Sequence, residues 1–364
     1  MNNEITLAGE HRPEFSSAWT SWFGLVLGNW LLTLITFGIF RFWARTRERR
    51  HLWAHTFFGG EPLEYTGLGR ELLVGAILAF FVLIVPLVMA SLIGAVAQGM
   101  GLQALMIGVN LAIYAVILWV VQFAIWRAMR YRLSRTRWSG IRGAMDGSAA
   151  AYALTGMKML GLQIITLGFA SPYASARLFN ARWSDARFGS MKFVAEAQWR
   201  PLQRVFLQSW GIALVGLIGV GIVEWQLIGP YFSFTPGAKP PPPPEIVFKV
   251  FGLNLVWLTV VGLIMLRYYA AQWQVLIAGL SLDGLRFRFT ATAGDWLRYW
   301  LGNVALVVFT LGLGATMLLW RHWRFLVSHV AAEGALDVDR LAQTRIDAPL
   351  YGEGLADALD VGAI

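Results

Sequence analysis

The chain reads as a mainly α-helical membrane protein built around a triplicated unit, and three observations predict it. Hydrophobic residues make up 57% of the 364 positions and charged residues 14%, against about a quarter charged in soluble domains; mean hydropathy is +0.56. Seven apolar segments run over 22–43, 72–97, 102–126, 150–176, 205–229, 246–268 and 296–320, each near the roughly 20 residues that cross a hydrocarbon core. Inside three of them one pattern recurs, Thr36-Phe37-Gly38, Thr166-Leu167-Gly168 and Thr310-Leu311-Gly312, at offsets of 130 and then 144 residues. Arg47, Arg177 and Arg321 follow at the same two offsets, which marks an internal repeat.

Charge argues against seven crossings. Arg45, Arg47, Arg49, Arg50 and Arg70 follow the first segment, and Arg130, Arg132, Arg135, Arg137 and Arg142 separate the third from the fourth. Arg177, Arg182, Arg187, Lys192, Arg200 and Arg204 lie around and beyond the end of the fourth, while Arg286, Arg288 and Arg298 come before or at the start of the seventh. The link Ala97-Gln98-Gly99-Met100-Gly101 is uncharged, and 230–245 holds only Lys239 and Glu245. Basic loops stay in the cytoplasm. The sequence therefore predicts two transmembrane helical hairpins, from segments two/three and five/six, plus three re-entrant or interfacial helix units entered and left from the cytoplasmic side. Gly38, Gly168 and Gly312 supply the breaks, because glycine takes the left-handed conformation that ends a helix. Pro172 suits the first turn of the helix that follows.

Short alternating segments with turn glycines flank each unit and predict cytoplasmic β-hairpins. Before the units stand Ile5-Thr6-Leu7-Ala8-Gly9, Trp138-Ser139-Gly140-Ile141 and the stretch 280–289; after them come 59–65, 189–194 and 334–338. The resulting division is repeat unit 1 over 1–67, a hairpin over 68–127, unit 2 over 128–197, a second hairpin over 198–270, unit 3 over 271–344 and a loosely ordered tail over 345–364. Pro240 to Pro244 should form a stiff polyproline spacer on the outer face. The polar, acidic start is not expected to be a cleavable signal peptide.

The run Thr36-Phe37-Gly38-Ile39-Phe40-Arg41-Phe42-Trp43-Ala44-Arg45, continued by Phe58-Gly59-Gly60-Glu61-Pro62-Leu63-Glu64-Tyr65-Thr66-Gly67, resembles the YjgN-like family of bacterial inner-membrane proteins. The likeness covers most of the chain and is sharpest in its first 75 residues; Ala170-Ser171-Pro172-Tyr173 and Ala315-Thr316-Met317-Leu318 replace the aromatic–basic run later on. The resemblance implies a multi-pass inner-membrane protein with no established biochemical role and no catalytic residues to carry over. It also implies a membrane-associated zinc metallopeptidase as a partner, from gene neighbourhood alone.

Three constellations are candidates for chemistry. Arg45, Arg47, Arg49, Arg50, Arg177, Arg182, Arg321 and Arg324 occupy related positions behind the breaks, and around a pseudo-threefold axis Arg47, Arg177 and Arg321 would form a ring for anionic headgroups or an anion path. The plainer reading is topological anchoring with snorkelling to lipid phosphates. His55, Asp185 and His329 share one repeat position and would suit a divalent metal if they converged, although no short ligand spacing supports it. Glu224 and Lys249 flank the outer turn of the second hairpin and are expected to pair. Asn29 and Asn303, also in phase, are expected to knit helices. No nucleophile elbow, phosphate loop or thiolate site is present, the chain having no cysteine. The net charge of +9 sits beside apolar spans, which favours membrane over nucleic acid.

The expected activity is thus non-enzymatic binding of lipids or a partner, with no cofactor. A channel or transporter built on the re-entrant breaks is the alternative, and a metal-dependent membrane enzyme the third. Self-association is compatible with the sequence and not specified by it.

Overall fold

The computed structural model describes residues 6–232 and 240–337. Strands β1 (Thr6–His11) and β2 (Glu14–Phe15) lead into helices α1 (Trp19–Ile35) and α2 (Arg41–Ala54), then β3 (Thr56–Phe58) and β4 (Glu61–Tyr65). Helix α3 (Gly69–Ala79), a π turn and α4 (Val85–Gly99) form one helical run that doubles back through α5 (Gln103–Arg135). Next come β5 (Thr136–Trp138), β6 (Ile141–Met145), α6 (Ala149–Ile165), α7 (Ser171–Trp183), β7 (Ala186–Phe188) and β8 (Met191–Ala195). The long pair α8 (Arg200–Ile228) and α9 (Pro244–Ala278) precedes β9 (Leu280–Leu282), β10 (Leu285–Phe289), α10 (Ala293–Phe309), α11 (Leu318–His329) and β11 (Val330–Asp337). Among the described residues three helices are long and apolar enough to cross a membrane: Gln103–Arg135, Arg200–Tyr231 and Pro244–Ala278.

Local chemistry sets the helix ends. Thr292 caps α10 reciprocally with Asp295, and the Ser148 hydroxyl caps α6 through the Ala151 N–H. Prolines begin α7, α8 and α9, where a missing N–H costs nothing. Pro244 is thus the first residue of α9 and not part of a spacer; Pro243 keeps polyproline dihedrals just before it. The segment 72–97 is not one regular helix, because Pro86 cannot donate to the carbonyl four residues back, and a π turn over 80–84 precedes it. The predicted tail after 345 lies outside the described residues.

The strands all join one antiparallel sheet, ordered β1-β11-β10-β9-β8-β7-β6-β5-β4-β3-β2. Its two edge strands, β1 and β2, are consecutive in the chain with only Arg12 and Pro13 between them, so the sheet curls back on itself. Hairpin turns are short: Gly59-Gly60 and Ser139-Gly140 both take positive φ, the twist-matched geometry for two-residue turns. The inner face is filled by Trp138, Leu285 and Ala332 with Phe58, Phe188, Phe287 and neighbours. Strand β1 pairs with β11 from Thr6↔Asp337 to His11↔Ala332, bringing the two ends of the described chain together.

Five helical excursions leave this sheet and each returns to it: α1–α2, α3–α5, α6–α7, α8–α9 and α10–α11. Neighbouring excursions pack through α2 on α3, α5 on α6, α7 on α8 and α9 on α10. The circuit closes where α1 meets residues 313–317, with the Trp22 indole N–H donating to the Thr316 carbonyl at 3.1 Å. At the base of the first long pair, Arg135 meets Glu71 at 2.7 Å, both side chains largely buried, and the Tyr131 hydroxyl donates to the same carboxylate at 2.9 Å.

Candidate functional site

The three Thr-x-Gly sequences form turns of one geometry. Gly38, Gly168 and Gly312 have φ of +89°, +88° and +93°, and the residues before them, Phe37, Leu167 and Leu311, have φ of +50°, +48° and +51°. Each glycine N–H reaches five residues back, to Thr33, Gln163 and Val307, closing the helix with a left-handed cap. Each threonine hydroxyl donates to the carbonyl four residues back and accepts from the N–H four residues on (Phe40, Ala170 and Gly314). Left-handed backbone costs a non-glycine residue about 1–2 kcal/mol, and these three apolar side chains recover none of it by burial. Phe37 is 97% exposed, Leu311 95% and Leu167 77%.

The arginines behind the turns separate into three places. Arg47 lines a cleft of about 770 Å³ with Phe40, Trp43, Arg50, Leu68 and Arg70. Arg321 and Arg324 line another, of about 380 Å³, with Arg298, Tyr299 and Trp320. Arg177 is exposed and has no hydrogen bond or ion pair with a described residue. The expected ring of Arg47, Arg177 and Arg321 is therefore not gathered around one cavity: these residues sit on outer helix faces, while Arg45 points inward.

Two of these arginines also hold the fold. The Arg47 guanidinium donates to Asn29 Oδ1 at 3.4 Å, and Arg321 Nε donates to Asn303 Oδ1 at 2.7 Å, so each asparagine ties the two arms of its hairpin. Arg50 donates to the Gly67 carbonyl at 3.2 Å. In the middle unit Asn180 does the corresponding work, exchanging two hydrogen bonds with the Ala197 backbone.

Between α2, α7 and α11 lies a chamber of about 650 Å³. Arg45, Glu48 and Arg49 of α2, Arg132 of α5, Arg182 of α7 and His322 of α11 line it, with Trp53, Trp183 and Trp323. Trp53 and Trp323 stack at 4.4 Å, and their indole N–H groups are fixed by Thr136 and Thr56. Arg132, His322 and the tryptophans were not singled out by sequence. The spacing of 45, 48, 49, 52 and 53 along α2 is the signal for an inward face, but only the rotation of the helix decides which face that is.

His55, Asp185 and His329 do not converge, and among the described residues no three His, Cys, Asp or Glu side chains are placed to hold a metal. What they share is a backbone latch: their carbonyls accept the N–H groups of Ser16, Asp146 and Thr290. His55 and His329 turn Nδ1 to the carbonyl four residues back, at 2.7 and 2.8 Å, whereas Asp185 accepts from the Trp126 indole at 2.9 Å. Burial pushes the Asp185 carboxyl above its usual range, against the pull of that indole, and Asp146 nearby raises it further. Glu224 and Lys249 do not pair with each other: Asn254 donates to Glu224 across the second long hairpin, and Lys249 meets Glu245 one turn back at 2.6 Å.

Fold and cavities define a helical protein with membrane-length helices mounted on a curled antiparallel sheet and lined within by arginine and tryptophan. The chain belongs to a bacterial protein family of unknown function (DUF898), whose profile matches residues 10–358. It is similar to the inner membrane protein YjgN of Salmonella typhimurium, with 21% identity over 98% of this chain and 96% of that protein. No solved structure matches it.

Proposed function

We propose that this chain is a multi-pass, non-enzymatic protein of the bacterial inner membrane that binds anionic lipids from the cytoplasmic leaflet. The observation that carries the reading is that all five helical excursions start and end on one sheet. The basic segments around the strands then share one side, which the positive-inside rule makes cytoplasmic. Among the described residues, the turn at 100–102 lies on the far side. The long pairs α3–α5 and α8–α9 span and return. The pairs α1–α2, α6–α7 and α10–α11 are three copies of a re-entrant unit: α1 rises only about 25 Å at 1.5 Å per residue, short of a roughly 30 Å core. Their apolar tips, Phe37, Leu167 and Leu311, sit in hydrocarbon, and the arginine clefts near their bases meet phosphates.

The inner-membrane placement agrees with the relative's name. The packed interior of the sheet, with Trp138 and Leu285 at its centre, weighs against a continuous pore and so against a channel.

Two measurements test the reading. The chain lacks cysteine, so single-cysteine variants report sidedness directly. Arg187→Cys should be protected from an impermeant maleimide in intact cells, and Gln98→Cys should react; labelling of Arg187→Cys from outside overturns the topology. Replacing Arg47, Arg177 and Arg321 by Gln should lower the anionic-to-zwitterionic ratio of co-purified lipid by about tenfold or more, at about 1 kcal/mol per arginine. An unchanged ratio removes the lipid-binding role.

A further inference from the structure

The chamber between α2, α7 and α11 does not stand alone. A second cavity, of about 500 Å³, adjoins it and shares Arg182 and Trp183 as the common wall. The two linings differ in chemistry. The chamber presents four guanidiniums, Arg45, Arg49, Arg132 and Arg182, and one carboxylate, Glu48. The second cavity is mostly hydrocarbon and aromatic, with Phe179, Phe193, Trp273, Leu276 and Ile277 among its walls. At the junction the buried Arg182 Nε has no hydrogen-bond partner among the described residues. An unpartnered buried donor on a guanidinium is costly, and four guanidiniums beside a single carboxylate give the chamber wall a net positive charge that an anion offsets.

We propose that the two cavities together bind one single-chain amphiphile with an anionic head, a carboxylate or phosphate monoester on a hydrocarbon tail. The head lies in the chamber at Arg182, where a planar guanidinium matches either oxyanion bidentately. The tail passes Trp183 into the space between Phe179, Trp273 and Leu276. Each cavity by itself has the volume of a small-ligand pocket. A diacyl phospholipid is excluded by a single apolar compartment, and a free phosphate gains nothing from it. This site deepens the lipid-binding reading but uses an interior surface, distinct from the outer clefts of Arg47 and Arg321.

Native mass spectrometry of the full chain in a neutral detergent tests it, with oleate, oleoyl lysophosphatidate, oleoyl lysophosphatidylcholine and inorganic phosphate as probes. One oleate or one lysophosphatidate should be retained per chain, with neither the zwitterionic lysolipid nor phosphate held. Arg182→Gln should weaken retention about tenfold or more, the loss of a charge-assisted contact. Leu276→Trp, which fills the second cavity and leaves every arginine in place, should abolish it. Equal retention of lysophosphatidylcholine, tight binding of phosphate alone, or wild-type retention in Leu276→Trp would overturn the proposal. Arg177→Gln, at an exposed residue with no hydrogen bond or ion pair to a described residue, should retain oleate normally, so the interior site and the outer headgroup contacts fail or survive separately.

Discussion

At Thr36, Thr166 and Thr310 one hydroxyl closes the last turn of the helix before the break and accepts the N–H four residues on, at the start of α2 and α7 in the first two cases and in the 3-10 turn 313–317 before α11 in the third. This is why a threonine stands two residues before each break glycine, and it makes the turn a local property of five or six residues. Asp185 occupies a position where the other two units carry histidine, and its raised carboxyl has a consequence for stability. A carboxyl whose folded pKa lies above the unfolded one favours the folded state below the unfolded pKa, and loses that advantage as pH rises through the folded pKa. Asp185→Asn keeps an acceptor for Trp126 and removes the charge near Asp146. The variant should melt higher than the parent at neutral pH, with the difference vanishing under acid conditions where the carboxyl is protonated; a pH-independent difference would contradict this. The equal spacing of His55, Asp185 and His329 from the three Thr-x-Gly turns was legible, but the role of Asp185 was not. The sequence places His55, Asp185 and His329 in phase, whereas only the fold shows that their carbonyls, and not their side chains, are what the units share.

The long helices are held at their bases by contacts that hydropathy does not register. Glu71 in the first turn of α3 accepts from Arg135 in the last turn of α5 and from Tyr131, in a largely buried network. Removing one partner of a buried pair leaves an uncompensated charge and costs about 3–5 kcal/mol, while replacing both with apolar residues is often neutral. Glu71→Ala should therefore lower unfolding free energy in detergent by about 3 kcal/mol, and Glu71→Met combined with Arg135→Leu should recover most of it. An equal loss in the double variant would assign the effect to packing. The apolar segments themselves were readable, as was the interruption of three of them, because glycine and proline punctuate the chain locally. The Glu224–Lys249 pair was misread because similar depth does not fix azimuth: Glu224 faces Asn254 across the hairpin, and Lys249 lies along its own helix beside Glu245.

On the scale of the whole molecule, closure of the sheet is what holds first and last units together. Strand β11 is clasped by β1 on one side and β10 on the other, and Arg288 meets both Glu10 and Glu333 across the three strands. The β10–β11 seam is so close that a Cβ at Gly284 would run into the Ala335 carbonyl, and one at Gly334, where φ is +130°, into the Gly284 carbonyl. Gly284→Ala should strain this seam by about 1–3 kcal/mol and speed amide exchange in β1, β10 and β11, leaving β3 to β6 protected. Uniform exchange across the sheet would show that closure is not a separable event.

The sequence by itself determined the membrane character, the helix breaks and the hairpin turns, since each depends on residues close to one another along the chain. Tertiary structure decided that the flanking strands form one curled sheet, that Arg45 and Arg182 face a shared chamber while Arg47 and Arg321 face outward, and that the two ends of the chain pair. Those outcomes depend on helix rotation and on contacts between residues some 300 positions apart, where the free energy of closure comes from surfaces that exist only once the other elements are in place.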